Sequence, residues 1–441
     1  MSVNKKMIEM FRASSAYINA HRNKVFVVSL GGEAQADNNL ANIVYDLSLL
    51  HSLGVKIVLI HGSRPQITEA LAAQGKQSNY HRNLRVTEPD CIETIKQVVG
   101  GLSVDLEALF SMGISNSPMH GANIHLCRGN FIIAKPFGVH DGIDFHHTGA
   151  VRKVQSLAIK KELDNNNIVM LSNLGYSLTG EVFNLSAEEV ATEVAIALGA
   201  DKLILMIPAD GVLDESGKLV TSLNEEEAKN HASKLSLSGD PKELCVSHAI
   251  DAALHACSHN VHRSHLISFK QNGALLQELF TRNGSGSLIS NDNFDQLRPA
   301  SINDVAGILA LIKPLEEAGI LVERSRELLE MEIKNFVIIE LENSIIACAA
   351  LYPISKDTGE VACIAIHPDY QKDGLGDRLL INLEKTASKK GFSFLFVLTT
   401  VASHWFLEKG FEQIEVDALP DQRKNLYNLQ RKSKVLKKAI S

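Results

Sequence analysis

The sequence predicts an α/β protein: an open, mainly parallel sheet in three layers with helices on both faces, followed by a smaller mixed α/β domain. Three observations carry this. Apolar, β-branched runs of strand length alternate with helical periods from residue 25 to residue 207, the pattern of strand–helix crossovers that lays parallel strands side by side. A segment dense in Gly, Ser, Asn and Asp, 283-NGSGSLISNDNFDQL-297, then interrupts all periodicity. After it the alternation restarts, in a mixed order, over residues 298–441. For 441 residues, with domains of roughly 100–200 residues as the norm, two or three domains are expected. The pattern favours two. The boundaries are an N-terminal oligomerisation helix over 1–24, a first domain over 25–283, a linker over 284–297 and a second domain over 298–441.

In chain order, Ile8, Phe11, Ala16 and Ile18 recur at helical spacing ahead of the first strand, where the chain has nothing of its own to pack on. A partner subunit would cover that face. Strands are predicted at 25-VFVVSL-30, 56-KIVLI-60, 124-IHLC-127, 168-IVMLS-172 and 203-LILMI-207, and helices at 39–53, 65–74, 89–112, 151–163 and 186–198. Glycines follow the first two strands, at 31-GG-32 and 61-HGSR-64, where an open α/β sheet forms its ligand crevice. In the second domain, Ser301 with Asp304 three residues on reads as the N-terminus of a helix reaching 317. Strands follow at 335-NFVIIEL-341, 344-SIIACAALYP-353 and 359-GEVACIAIHP-368, then a helix at 375–390 and a strand at 392-FSFLFVLT-399.

Charge and composition narrow the function. Forty-four Lys and Arg against 51 Asp and Glu give a net charge of −7. A general nucleic-acid binder needs a basic surplus to displace counterions, so that class is excluded. Six cysteines, none in a CxxC pair, make no disulfide framework in a chain this long and fit a reducing cytoplasm. The longest apolar runs are of strand length, far short of a membrane span. The histidines of 140-HDGIDFHH-147 and His255, His259, His262 and His265 lack the carboxylate or cysteine support of a ligand set, so no metal is expected.

The most informative segment is 360-EVACIAIHPDYQKDGLGDRLLINLEKTA-387. A strand ends at Pro368, which cannot donate to a ladder. Gln371-Lys372-Asp373-Gly374-Leu375-Gly376 then leads straight into a helix. Glycines let backbone approach a ligand, and the unpaired N–H groups of a helix's first turn, with its dipole, suit a pyrophosphate. With 404-HWFLEKGF-411 further on, this order resembles the GNAT N-acetyltransferase family. The resemblance implies that acetyl-CoA binds through Gln371, Lys372, Gly374 and Gly376, and along the backbone of Val361–Ile366, at Cys363, Ile364 and Ile366. Two departures stand out. Asp373 and Asp377 put negative charge beside the phosphates, and Phe406 occupies the position of the usual tyrosine proton donor.

An amine attacks a thioester only after losing its proton, so a base is needed, and Glu360, where the strand begins, is the candidate. Thr399, Thr400, Ser403 and His404 lie beyond the neighbouring strand, and none stands out as a proton donor. Cys363 reads as a core residue rather than a nucleophile. Arg324 and Arg326 follow the first helix of this domain, and 431-RKSK-434 nearly closes it. Two separated guanidinium sites suit a dicarboxylate amino acid, and the resemblance implies Arg324, Arg431 and Ser433 as ligands of a substrate glutamate.

Upstream, 29-SLGG-32, 61-HGSRPQI-67, 184-NLSAEEVATEVAIALGADKLILMIPADGV-212 and 274-ALLQELFTRNGSGSLI-289 resemble the amino-acid kinase family, acetylglutamate kinase most closely. Ser29 stands where that kinase has its phosphoryl-stabilising lysine, Ser63 and Arg64 where it has glycines, and Ser186-Ala187-Glu188 where it has its organising carboxylate. Phosphoryl transfer rests on positioning and charge neutralisation, so a kinase fold without kinase activity is expected. A domain of this kind followed by a GNAT domain resembles the bacterial N-acetylglutamate synthase family. That resemblance implies acetyl transfer from acetyl-CoA to the α-amino group of L-glutamate, the first step of L-arginine biosynthesis, in a homo-oligomeric ring, a hexamer. It also implies feedback by L-arginine at Tyr17, Lys202, His265, Glu278 and Gly284. The alternatives are a bifunctional synthase–kinase and a non-catalytic arginine sensor.

Overall fold

A computed structural model of the chain describes residues 12–440 except 13, 16, 113–123, 282–283, 291–295, 342–343, 372–373 and 425–432. The chain divides into two compact units, Met1–Asp292 and Asn293–Ser441. Most of the predicted N-terminal helix lies outside the described residues; its last turn, 17–21, is helical.

Along the first unit run β1 (Val25–Leu30), β2 (Lys56–His61), β3 (Leu126–Cys127), β4 (Ile132–Pro136), β5 (Gly149–Val154) and β6 (Ile168–Ser172). They are followed by β7 (Leu174–Tyr176), β8 (Val182–Asn184), β9 (Lys202–Ile207), β10 (Ser222–Leu223), β11 (Arg263–Ser268) and β12 (Ser287–Ile289). Its helices include α1 (Leu40–Ser52), α2 (Arg64–Ala73), α3 (Ile92–Ser111), α4 (Ser156–Asp164), α5 (Ala187–Leu198), α6 (Glu225–Ser236), α7 (Pro241–Ser258) and α8 (Ala274–Phe280). Among the described residues the main sheet has the order β10-β12-β11-β9-β1-β2-β6-β3, parallel except where β12 meets β11. Strict alternation along β1 builds both of its faces. Phe26, Val28 and Leu30 pack with α1, α3 and α8, whereas Val27 packs with α5 and α7. Strands buried on both faces read as continuous apolar runs, which is why these were predictable.

Two expectations change here. Residues 151–154, expected to open a helix, end β5, which pairs antiparallel with β4; α4 starts only at Ser156. Together with β7 and β8 they form a separate four-stranded sheet. The expected linker also shrinks. Ser287–Ile289 is a buried strand on β11, and Gln296–Pro299 pairs with the second unit's sheet, because Leu288, Ile289 and Leu297 supply apolar surface that the Gly/Ser composition hides.

The second unit contains β13 (Gln296–Pro299), β14 (Phe336–Leu341), β15 (Ser344–Pro353), β16 (Thr358–Ile366), β17 (Phe394–Thr399), β18 (Glu412–Ile414) and β19 (Lys434–Ala439). The sheet order is β13-β14-β15-β16-β17-β19-β18, antiparallel except for β16 with β17. Around it lie α9 (Val305–Glu317), α10 (Arg326–Glu332), α11 (Leu375–Lys389), α12 (Ser403–Glu408) and α13 (Asp421–Lys424). α9 and α10 cover one face with Cys348, Ala350, Cys363 and Ala365; α11 covers the other with Ala347, Ala349, Val361 and Leu395. The predicted Ser301–Asp304 capping box is present at the start of the turn leading into α9.

Candidate acetyl-transfer site and effector cluster

The parallel pair β16–β17 is the origin of the site. Thr358–Val361 pair with Phe394–Val397, and there the ladder stops, although β16 continues to Ile366 and β17 to Thr399. A β-bulge bends β16 at the same level. Cys348 faces Ala365 and Ala350 faces Ala362, so Cys363 and Ile364 together oppose Ala349. Cys363 is driven to φ 52°, an uncommon value for a residue with a Cβ. Peptide groups of 362–366 on the β17 side are left without a ladder, the arrangement an extended amide-bearing arm can occupy. Cys363 is buried as expected, and its carbonyl accepts a weak bond from the Cys348 thiol at 3.6 Å.

Past β16, a short turn over Pro368–Tyr370 and Gln371 leads to Gly374, at φ 68°, the N-cap of α11. No side chain caps α11 there, so its first N–H groups are not taken by a cap side chain. Gly376 lies where a Cβ would sit 3.2 Å from Trp405 Cζ2 and 3.3 Å from Ile366 Cδ1; a larger residue would push the turn away from the sheet. Ile364 and Ile366 pack toward α11. Lys372 and Asp373 lie outside the described residues. Asp377, one of the two carboxylates expected beside the phosphates, is ion-paired with Lys409 at 2.7 Å. Phe406 is core, with its ring 5.3 Å from that of Phe411.

On the α9–α10 face, Glu360 is buried and held in a two-point ion pair, Arg423 Nε donating to Oε2 at 2.6 Å and Nη2 to Oε1 at 2.9 Å. The partner of Glu360 across the ladder is Tyr352, whose hydroxyl donates to Glu332 at 2.7 Å. Arg324 interacts with Tyr352 and Cys363, so it stands beside the bulge. Arg326 is turned away, paired with Glu330 along α10. Ser433 immediately precedes β19, and Arg431 lies outside the described residues. The structure thus brings Arg324, Cys363 and Glu360 to one face, and Gln371, Gly374 and Gly376 to the head of α11. Sequence reasoning missed Arg423 and Tyr352. The register opposite Glu360 could have flagged Tyr352; nothing in 420-PDQRKN-425 marks Arg423.

In the first unit, Lys202 on β9 and His265 on the adjacent β11 are both buried. Lys202 Nζ donates to His265 Nε2 at 3.3 Å, and His265 Nδ1 donates to Glu278 Oε1 at 2.7 Å. The other Glu278 oxygen accepts from Ser285 N at 2.6 Å and Gly286 N at 2.9 Å. Burial, then the Lys202 charge, push the imidazole down to about 4. Burial opposes ionisation of Glu278, but its bonds from His265, Ser285 and Gly286 prevail and hold it at about 2. Gly284 turns at φ 62° directly against the Glu278 carboxylate, where any Cβ would collide. Tyr17 lies 6.4 Å from the ring of His21, which hydrogen-bonds the Leu279 carbonyl at the end of α8 at 2.8 Å. The five residues predicted for the effector therefore gather around α8.

At the opposite end of the same sheet, β1 and β2 open on a cavity of about 500 Å³ lined by Gly31, Gly32, Gly62, Arg64, Arg85 and Glu188 among others, with no lysine among the described lining residues. Ser63 turns its hydroxyl to Asn173 at 2.8 Å, and Arg64 reaches Asn83 at 3.3 Å. Ser186 caps α5 and donates to Glu188 at 2.6 Å. His140 bonds the Phe137 carbonyl at 3.1 Å, and His255 stacks on His259 and pairs with Glu193 at 3.3 Å. No three metal-ligating side chains converge among the described residues. No helix among them is long and apolar enough to cross a membrane.

Residues 24–268 match the amino acid kinase family and residues 307–411 the acetyltransferase (GNAT) family. The amino-acid acetyltransferase of Ectopseudomonas mendocina is 52% identical over 434 residues, 98% of this chain and 99% of that protein. The chain belongs to the amino-acid acetyltransferase family. The crystal structure of N-acetylglutamate synthase from Neisseria gonorrhoeae complexed with coenzyme A and L-arginine superposes with a TM-score of 0.88 at 35% identity, covering 98% of this chain and 99% of the other. The same Neisseria enzyme complexed with coenzyme A and N-acetyl-glutamate matches with a TM-score of 0.62 at 36% identity, with the same coverage. Membership of the amino-acid acetyltransferases makes the chain an acetyl-transfer enzyme and places a kinase fold ahead of its GNAT fold, as the sequence predicts.

Proposed function

We propose that the chain is an N-acetylglutamate synthase, transferring the acetyl group of acetyl-CoA to the α-amino group of L-glutamate in the cytoplasm, with L-arginine in the first unit as feedback inhibitor. The observation that carries the reading is the opened β16–β17 pair, with the uncapped head of α11 at its mouth and Glu360 and Arg324 on the α9–α10 face. Coenzyme A in the Neisseria relative supports the ligand. The pyrophosphate meets the N–H groups at Gln371, Gly374 and Gly376, and the pantetheine arm runs along 362–366. Backbone N–H at the bulge polarises the acetyl carbonyl. Arg324, with Arg431 and Ser433, holds the glutamate carboxylates. Glu360 takes the ammonium proton, directly or through water, and the amine attacks the carbonyl carbon. The carbon–sulfur bond then breaks, and the thiolate leaves to be protonated; no acetyl-enzyme forms.

L-Arginine in the same relative supports an effector, and the Lys202–His265–Glu278 group, with Tyr17 and Gly284, offers a buried carboxylate to its guanidinium. The kinase-like fold is inert by this reading. The side chains of Ser63 and Arg64, bonded to Asn173 and Asn83, stand where a phosphate needs close approach to bare backbone, and Ser29 has no ammonium to offer. Subunits assemble as a homo-oligomer through the N-terminal segment. One assay tests the whole reading: thiol release from acetyl-CoA with and without L-glutamate, repeated with L-arginine. Glutamate-dependent release that L-arginine suppresses is expected, with no ADP formed from ATP and N-acetylglutamate. Release that ignores glutamate would reject the synthase, and ADP would restore the bifunctional alternative.

A further inference from the structure

Glu360, the proposed base, is closed to an incoming amine in this structure. Arg423 covers both of its oxygens, at 2.6 and 2.9 Å, and the two side chains are only 24% and 12% exposed. A guanidinium that takes both oxygens of a carboxylate occupies one lone pair on each and shields the edge that an incoming amine would approach. Breaking such a pair with nothing in exchange leaves a largely buried charge uncompensated. An amine without a carboxylate has nothing to give the guanidinium in return.

We propose that Arg423 is a specificity-determining gate on Glu360: a carboxylate of the incoming amino acid draws the guanidinium off Glu360, and only then is the base free to take the ammonium proton. The proposal rests on the reading of Glu360 as base. Exchange of one carboxylate partner for another keeps a charge-assisted pair on Arg423 throughout. The local architecture permits the swing. Arg423 sits on α13, of four described residues and outside the sheet, whose turn is held by Arg423 N to Pro420 O at 2.9 Å, so a swing of its side chain opens no ladder. Tyr352, directly across from Glu360, gives its proton to Glu332 and does not compete for the carboxylate. The gate links substrate identity to catalysis: without a carboxylate-bearing substrate, Glu360 cannot activate water against the thioester.

The test measures thiol release from acetyl-CoA by the full-length enzyme with no amino acid present. In Arg423→Gln the freed Glu360 takes a proton from water, the water oxygen bonds to the acetyl carbon, and the carbon–sulfur bond breaks. The thiolate is protonated by solvent, giving acetate and CoA. General-base assistance of this kind is worth roughly 10²–10⁴-fold, so a rise of about tenfold or more is expected, with a higher KM for L-glutamate. Adding Glu360→Gln to that variant returns release to the wild-type level. Arg423→Lys, which keeps the charge but loses the fork, gives an intermediate leak and serves if Arg423→Gln does not fold. A folded Arg423 variant with wild-type leak and wild-type KM, beside an inactive Glu360→Gln enzyme, overturns the gate alone. Full turnover in Glu360→Gln overturns the base assignment and the gate with it.

Discussion

Lys202, His265 and Glu278 settle one another's charge. With Lys202 donating to Nε2, the imidazole proton sits on Nδ1 and points at Glu278, so a neutral histidine bridges an ammonium and a carboxylate. This arrangement has a pH signature. His265 is held near 4 against an ordinary 6.5, so between those values the unfolded chain binds a proton that the folded chain refuses. Its contribution to stability is intact above pH 6.5 and is lost as pH falls toward 4. Glu278, at about 2 against 4.5, acts in the same direction at lower pH. The urea midpoint of the first unit should therefore fall between pH 6.5 and 4, and His265→Asn should flatten that fall. An unchanged slope in the variant would show that the acid sensitivity arises elsewhere.

At the scale of the element, β16 joins a legible strand to an illegible bend. Its apolar run predicts the strand, and Glu360 at its start predicts a carboxylate at the site. Nothing in 361-VACIAI-366 predicts the bulge, because no glycine marks the left-handed position that Cys363 occupies. Because two residues there oppose one, deleting Cys363 leaves Ala362 and Ile364 on their own faces and restores a regular ladder with β15. The deletion should give a folded protein, relieved of roughly 1 kcal/mol of backbone strain, whose acetyl-CoA affinity in calorimetry drops at least tenfold. Wild-type affinity would mean the bend does not shape the cleft. Two of the elements missed in the first unit, β7 and β8, have three residues each, too few to establish a period. Arg423 was invisible for another reason. It meets Glu360 across 63 residues of sequence, and a lone arginine in a polar turn carries no pattern.

Across the whole molecule, the proposed effector cluster and the proposed acetyl-transfer cleft belong to different units, so the inhibition proposed for L-arginine would be a coupling free energy that works in both directions. The factor by which L-arginine weakens acetyl-CoA or L-glutamate binding must equal the factor by which those ligands weaken L-arginine. Paired calorimetric titrations check this, and unequal factors would show that inhibition acts on turnover rather than on binding.

The packing of Trp405 against Gly376 has an optical consequence. It is the chain's single tryptophan, and it sits at the head of α11 in the smaller unit. Emission excited beyond the absorption of tyrosine therefore comes from that unit alone, whereas far-ultraviolet dichroism sums the helices of both. A melting step seen in dichroism and silent in emission belongs to the kinase-like unit, so the two halves of one chain can be followed separately without any label.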